Sequence, residues 1–306
     1  MARASFKASA PGSLMLLGEH AVLHGQPALV CAVNRRIHVT LAPRNDGAIR
    51  ITSSLGRYSA SIDRIKPSKS FRFVVAAIRR FGRKLTTGFD LRIDSEFSHT
   101  IGFGSSAAVT VATLAVLSKW LNGSVSPRKL LLDGVAVIRE TQGLGSGADV
   151  AASVHGGIVL YSANPIQATK LNASHPLTVI YSGSKMPTVE VVRLVERARK
   201  ACPELYDAIF TMMGQSSRQA AAAIRRNNWK DVGAIMNLNQ LLMAAIGVSN
   251  GKLAAIVRLL LRDPAVLGAK ISGSGLGDCV IGLGRSRRTK WPFEALPVMI
   301  SPQGVK

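Results

Sequence analysis

The 306-residue sequence has few aromatic residues, few acidic residues and only three cysteines. Phe, Trp and Tyr together make up 5%, leaving few flat side chains on which nucleic-acid bases could stack. Asp and Glu number 17 against 39 Lys and Arg, a formal net charge of +22. The basic clusters lie at 35–36, 79–84, 225–226 and 285–290, scattered over the whole chain. No zinc-finger or RNP-type motif accompanies them. They read as solvated basic faces, and no nucleic-acid partner is expected. Cys31, Cys202 and Cys279 cannot form a full disulfide set, so a reducing, cytoplasmic setting is expected. No apolar run reaches the roughly 18–20 residues of a membrane span; the best stretch, 107–117, stops at Ser118 and Lys119. Residues 1–7 carry charge, and no apolar segment follows before Pro11 and Gly12, which argues against a secretory leader. No membrane partner is expected.

What is present is a large apolar fraction, 47%, enough for a sizeable core in one or two domains. The first half reads as strands with inserted helices. Alternation at 36–41 and 48–52 suggests half-buried strands joined through Asn45-Asp46-Gly47, with a similar run at 91–93. Helical spacing covers 105–121, ended by Asn122-Gly123; Ser126-Pro127 opens a second helix to about Gln142, and 156–161 returns to strand. Beyond 165–175 the chain becomes helix-rich at 188–200, 205–225 and 231–246, with strands at 179–181, 269–271 and 279–283. The expectation is an α+β fold of two domains, residues 1–172 and 173–306.

Three glycine- and serine-rich segments stand out at 102–107, 143–149 and 272–278. Such turns let backbone N–H groups approach an anion, and a helix starting there adds its positive end. Other patterns fail on context. The first segment fits G-x-G-x-x-A, but no acidic residue follows until Asp133, too far for a ribose contact. The Walker A pattern and H-E-x-x-H are absent. Gly247-Val-Ser249-Asn-Gly251 fits a hydrolase elbow, yet a helical stretch precedes it where a strand is needed. Gly247 is read instead as closing one helix and Ser249 as the N-cap of the next.

Residues 10–28, with Gly18-Glu19-His20-Ala21-Val22 at their centre and His24-Gly25 after it, resemble the opening motif of mevalonate kinases within the GHMP kinase superfamily. Residues 102–108 resemble the family's phosphate-binding segment and 272–279 its C-terminal glycine-rich motif; 182–188, 237–242 and 247–249 are also similar. The resemblance implies the two-domain GHMP kinase fold: an N-terminal domain like ribosomal protein S5 domain 2, and a ferredoxin-like C-terminal domain, with the site between them. It implies transfer of phosphate from ATP, with Mg²⁺, to an alcohol, mevalonate first. Asp149 would be the catalytic carboxylate. Gly102, Gly104, Ser105, Ser106 and Ala107 would hold the phosphates, and Ser106 with Glu140 the Mg²⁺. Glu19, His20, Thr188, Gly273 and Ser274 would face the substrate. A homodimer is implied by resemblance alone.

Three departures matter. Ser13 stands where the family carries a lysine, and Lys7, Lys185 and Lys270 are alternative sources of that charge. Residues 145–153 look more like phosphomevalonate kinases. Asp278 adds a carboxylate to a motif that usually ends uncharged. The alternatives are therefore a phosphomevalonate kinase, another GHMP small-molecule kinase, or a catalytically weak nucleotide-binding relative.

Overall fold

Strand β2 (Ala28–Pro43) is the hub of the first sheet. Along one edge it pairs with β1 (Phe6–Leu17) from Leu29 to Leu41. Its other edge is shared, because β6 (Ile158–Ala163) takes Ala28 to Cys31 while β5 (Phe89–Ser95) takes Ile37 to Pro43. β3 (Ala48–Ser53) and β4 (Gly56–Ser61) extend the sheet beyond β5, and β7 (Ile166–Leu171) extends it beyond β6. The computed structural model describes residues 5–98 and 100–306; the first four residues of the leader reading lie outside them.

Helices α1 (Arg72–Arg79), α2 (Ser105–Asn122), α3 (Pro127–Gln142) and α4 (Ala148–His155) pack on one another, and α2 and α4 pack on β1 and β2. α2 is apolar on nearly every side and sits in the core, with Ala108, Val111, Ala112, Ala115, Val116 and Leu117 fully buried. Its ends are set by glycines in the left-handed region, Gly104 before it and Gly123 after it. α3 begins where Ser126 accepts the Lys129 N–H ahead of Pro127, the expected cap.

The second sheet is antiparallel, in the order β11-β8-β10-β9. It is built from β8 (Pro176–Tyr181), β9 (Ala269–Ser272), β10 (Cys279–Leu283) and β11 (Glu294–Met299). Between β8 and β9 run α5 (Thr188–Ala201), α6 (Pro203–Arg225), α7 (Trp229–Ala245) and α8 (Gly251–Leu261). β9 is an edge strand whose free side is covered by α7. Asn237 Oδ1 accepts the Ala269 N–H and Gln240 Oε1 accepts the Ile271 N–H. One helix face thus completes the hydrogen bonds that a bare sheet edge would leave open. The N-cap of α8 is Asn250, whose Oδ1 accepts the Leu253 N–H; this corrects the assignment of that role to Ser249 by one residue.

The architecture is the expected two-domain α+β fold, with one crossing near the chain end. After β11 the chain returns to the first sheet, where Ile300 bridges Val33 and Lys306 exchanges backbone hydrogen bonds with Ser9. The Arg36 guanidinium secures this return by donating to Ser9 Oγ and to the carbonyls of Ser9 and Gly304. No helix among the described residues is long and apolar enough to cross a membrane.

Arg36→Leu removes every guanidinium hydrogen bond that holds this return and is expected to lower unfolding stability by about 2 kcal/mol. Chemical denaturation measures it, and a change within about 0.5 kcal/mol would place the closure of the tail elsewhere.

Candidate active site

The first glycine-rich segment lies against β1. Ser13 N donates to the Phe103 carbonyl at 3.0 Å, and a Cβ on Gly104 would collide with Ser13 Oγ. Gly104 itself, at φ 61°, turns the chain into α2. The first turn of α2 has no side-chain cap and no acidic residue. Its leading N–H groups, on Ser105, Ser106 and Ala107, are left open, and the positive end of the helix lies with them.

Asp149 stands in the first turn of α4, after Gly147 in the left-handed region. Ser13 Oγ donates to Asp149 Oδ1 at 2.8 Å, so the opening motif and the second glycine-rich segment meet there. Asp149 keeps partial exposure toward the cleft but is otherwise enclosed by protein. Burial pushes its carboxyl pKa up; the Ser13 hydrogen bond and the charge of Lys185 pull it down, while Asp278 and Glu19 push it further up.

The third segment, 272–278, closes the cleft from the second sheet. Gly273 and Gly275 both have positive φ, and a Cβ on Gly275 would meet the Val248 Cβ at 2.7 Å. The Leu276 N–H donates to the Val248 carbonyl at 2.8 Å, which gives Gly247-Val248 its role as the anchor of this loop. Of the four described non-glycine residues with positive φ, three are His20, Leu276 and Asp278. Backbone in that region is strained for such residues and persists where surrounding contacts enforce it.

Two contacts join the opening motif to this loop. The Lys270 ammonium donates to Glu19 Oε1 at 2.5 Å, with both side chains almost wholly buried. His20 Nε2 lies 2.8 Å from the Ser274 carbonyl. A carbonyl oxygen only accepts, so Nε2 carries the proton. Burial lowers the imidazole pKa, and the neutral ring leaves Nδ1 as an acceptor. Glu19 Oε2 has no partner.

The structure therefore brings together Gly102, Gly104, Asp149, Glu19, His20, Gly273 and Ser274. Thr188 lies exposed at the start of α5. Glu140 stands at the far end of α3 with its carboxylate 3.1 Å from Arg80, so as a metal ligand it would first have to leave that pair. Among the described residues no group of three His, Cys, Asp or Glu side chains could hold a metal ion. Of the three lysines weighed against Ser13, Lys7 is exposed near the start of β1 and Lys270 is committed to Glu19. Lys185 lies 3.4 Å from Asp278 Oδ2.

Sequence reasoning missed a cavity of about 490 Å³ lined by Pro67, Arg72, Ala76, Arg79, Arg80 and Glu140, among others. The arginine cluster was the available signal, but α1 gave no capping residue to reveal it as a helix.

Comparison with known proteins gives the family. The family models of the GHMP kinase N-terminal and C-terminal domains match residues 72–157 and 220–290, and a galactokinase galactose-binding signature matches 2–43. The mevalonate kinase of Archaeoglobus fulgidus is 35% identical, covering 95% of this chain and 96% of that protein. The chain belongs to the GHMP kinases. A second mevalonate kinase, from Thermococcus gammatolerans, is 32% identical over 92% of this chain and 90% of its own. The solved mevalonate kinase of Methanococcus jannaschii superposes with a TM-score of 0.81 at 24% identity, covering 98% of each chain, and speaks for the fold. As a GHMP kinase the chain is a small-molecule phosphotransferase, and the cleft between its two sheets is where the family motifs converge.

Lys270→Met leaves the Glu19 carboxylate buried without its cation and is expected to cost about 3–5 kcal/mol in urea unfolding. Lys270→Met with Glu19→Gln should cost clearly less. Equal losses would mean that the pair contributes packing and not charge compensation.

Proposed function

We propose that this GHMP kinase transfers the γ-phosphate of ATP to the 5-hydroxyl of mevalonate, forming 5-phosphomevalonate and ADP on the route to isoprenoids. The observation that carries the reading is Asp149, enclosed and held by Ser13 beside the open N-terminus of α2. In the reaction the hydroxyl oxygen attacks the γ-phosphorus. The bond from that phosphorus to the β,γ-bridging oxygen breaks, ADP leaves with the electron pair, and the hydroxyl proton passes to Asp149. A raised carboxyl pKa suits a group that must take up a proton near neutral pH.

The open N–H groups of residues 105–107 suit the phosphates of ATP. The cavity beside α1 suits its base and ribose, since Arg72, Arg79 and Arg80 line it together with Val75 and Ala76. Mg²⁺, when bound, would neutralise phosphate charge, with the Ser106 hydroxyl as its protein ligand and phosphate oxygens supplying much of the rest. On the acceptor side, the unpartnered Glu19 Oε2 and the free Nδ1 of His20 are acceptors suited to substrate hydroxyls.

The choice of mevalonate rests on two relatives of that activity matched over nearly their whole length. The segment around Asp149 favours a second acceptor, 5-phosphomevalonate, and the signature at 2–43 adds galactose as a third to test.

ADP release measured with each acceptor in turn is expected to occur with mevalonate and to fall by at least about 10³ in Asp149→Asn. Turnover of 5-phosphomevalonate or galactose alone would reassign the acceptor; nucleotide binding without turnover of any would overturn the kinase reading. The pH profile gives a separate check. Asp149 accepts a proton only when ionised, so kcat/KM falls as pH drops through its raised pKa. Ser13→Ala removes a hydrogen bond to the ionised form and should move that acid limb to higher pH; a limb that stays or moves lower contradicts the assignment.

A further inference from the structure

Ser13, the side chain that β1 presents to Asp149, is neutral, yet phosphoryl transfer develops charge on the equatorial oxygens of the moving group and calls for a cation there. The amides at the start of α2 supply partial charge only. Lys270 is enclosed, donating to Glu19 and to the Ile271 carbonyl. Lys185, in the turn between β8 and α5, differs from both: it is an exposed ammonium, its charge acts on Asp149, and it contacts Asp278.

Asp278 occupies an unusual place. Its carboxylate packs against Gly102 so closely that a Cβ there would collide with both of its oxygens. An anionic group of the protein thus sits at the entrance of the segment whose amides suit phosphate. The backbone holds it there at φ 67°, tied by the Asp278 N–H to the Ser184 carbonyl and by the Ser182 N–H to the Asp278 carbonyl. Those bonds lock the turn carrying Lys185 to the third glycine-rich loop, so cation and carboxylate are delivered together from the second domain.

We propose that Lys185 is the cation of the phosphoryl-transfer centre, and that Asp278 stands in for a phosphate oxygen when the site is empty, holding Lys185 and the space against Gly102 until nucleotide takes both. The γ-phosphate, carrying more charge than one carboxylate, wins the competition, and Lys185 moves from Asp278 to the group being transferred. The charge missing at Ser13 is thereby supplied from the opposite wall of the cleft. This inference rests on the phosphotransferase reading but not on which alcohol is the acceptor.

Two measurements on the full chain test it, the first free of any acceptor. By calorimetry with Mg²⁺, Lys185→Met should weaken ATP binding by about tenfold or more and leave ADP within about threefold, because the contact is to the γ-phosphate. Asp278→Asn should tighten binding of both nucleotides several-fold, since a competing anion is gone. Equal loss of ATP and ADP in Lys185→Met, or weaker nucleotide binding in Asp278→Asn, would overturn the proposal. The second measurement uses whichever acceptor the native enzyme phosphorylates. Lys185→Met should lower kcat by about 10²-fold or more, Lys185→Arg should keep most of it, and Ser13→Lys should raise kcat about tenfold more in the Lys185→Met background than in the native one. A Lys185→Met enzyme retaining a third or more of native kcat, or a gain from Ser13→Lys that is the same in both backgrounds, would refute it. If the native enzyme binds ATP but phosphorylates none of the acceptors, the function reading fails while the ATP-against-ADP comparison still decides the role of Lys185.

Discussion

The placement of the site depends on a buried ion pair between the two halves of the molecule. Glu19 belongs to the turn after β1, and Lys270 to β9 of the second sheet. Neither charge could be left in the interior alone, because an unpaired buried ion costs several kcal/mol. Each half therefore requires the other at this point. Lys270 also donates to the Ile271 carbonyl, and two residues on, Ser272 Oγ donates to the Met15 carbonyl at 3.0 Å. A short length of edge strand is thus fixed to β1 by charge and hydrogen bonds. The 272–278 loop emerges from that strand already facing residues 102–107.

This constraint explains why the opening motif is so dense in sequence. β1 pairs with β2 on one side and runs along α2 and α4 on the other, so nearly every residue from 8 to 17 is buried. Gly12 is small because two backbones approach there: a Cβ on it would lie 2.8 Å from the Phe103 carbonyl oxygen, while one on Gly104 would strike the Ser13 hydroxyl. Ser153 Oγ donates to the Pro11 carbonyl at 2.9 Å, so α4, which carries Asp149, is held to the same point. Position, more than the identity of any single side chain, is what the motif specifies.

Most of the architecture was legible because its signals are local. The ends of α2 and α3 follow from glycines at 104, 123 and 143 and from Ser126-Pro127, whose effects act within a turn or two of chain. β1 was not legible as a strand, since Pro11-Gly12 reads as a break; a shift of pairing register between Pro11 and Ser13 accommodates them. β11 was hidden in the same way by Pro297, tolerated because that strand is an edge. In the site, the resemblance pointed to Asp149, Glu19 and His20, which the fold brings to one cleft. No local pattern could reveal that Asp278 would lie against Gly102, or that Lys270 would be spent on Glu19. Those facts depend on contacts between residues far apart in the chain.

The electrostatics of the cleft follow from the same long-range placement. Glu19, Asp149 and Asp278 act on one another inside a partly enclosed volume, and burial raises the pKa of both Asp149 and Asp278. With Lys270 neutralising Glu19 and Lys185 beside Asp278, the carboxylate without an ion pair of its own is Asp149, supported by the Ser13 hydroxyl and at longer range by the Lys185 charge. A base that is weakly supported holds a proton more readily than a salt-bridged one, at the cost of being ionised over a narrower pH range. A lysine at position 13 would shift that balance, favouring the ionised carboxylate and lowering its affinity for the proton it must take. On the proposed function, serine at position 13 is therefore more than a missing charge. It separates the two tasks such a charge performs, leaving the carboxylate basic and requiring the phosphate to find its cation on the other wall.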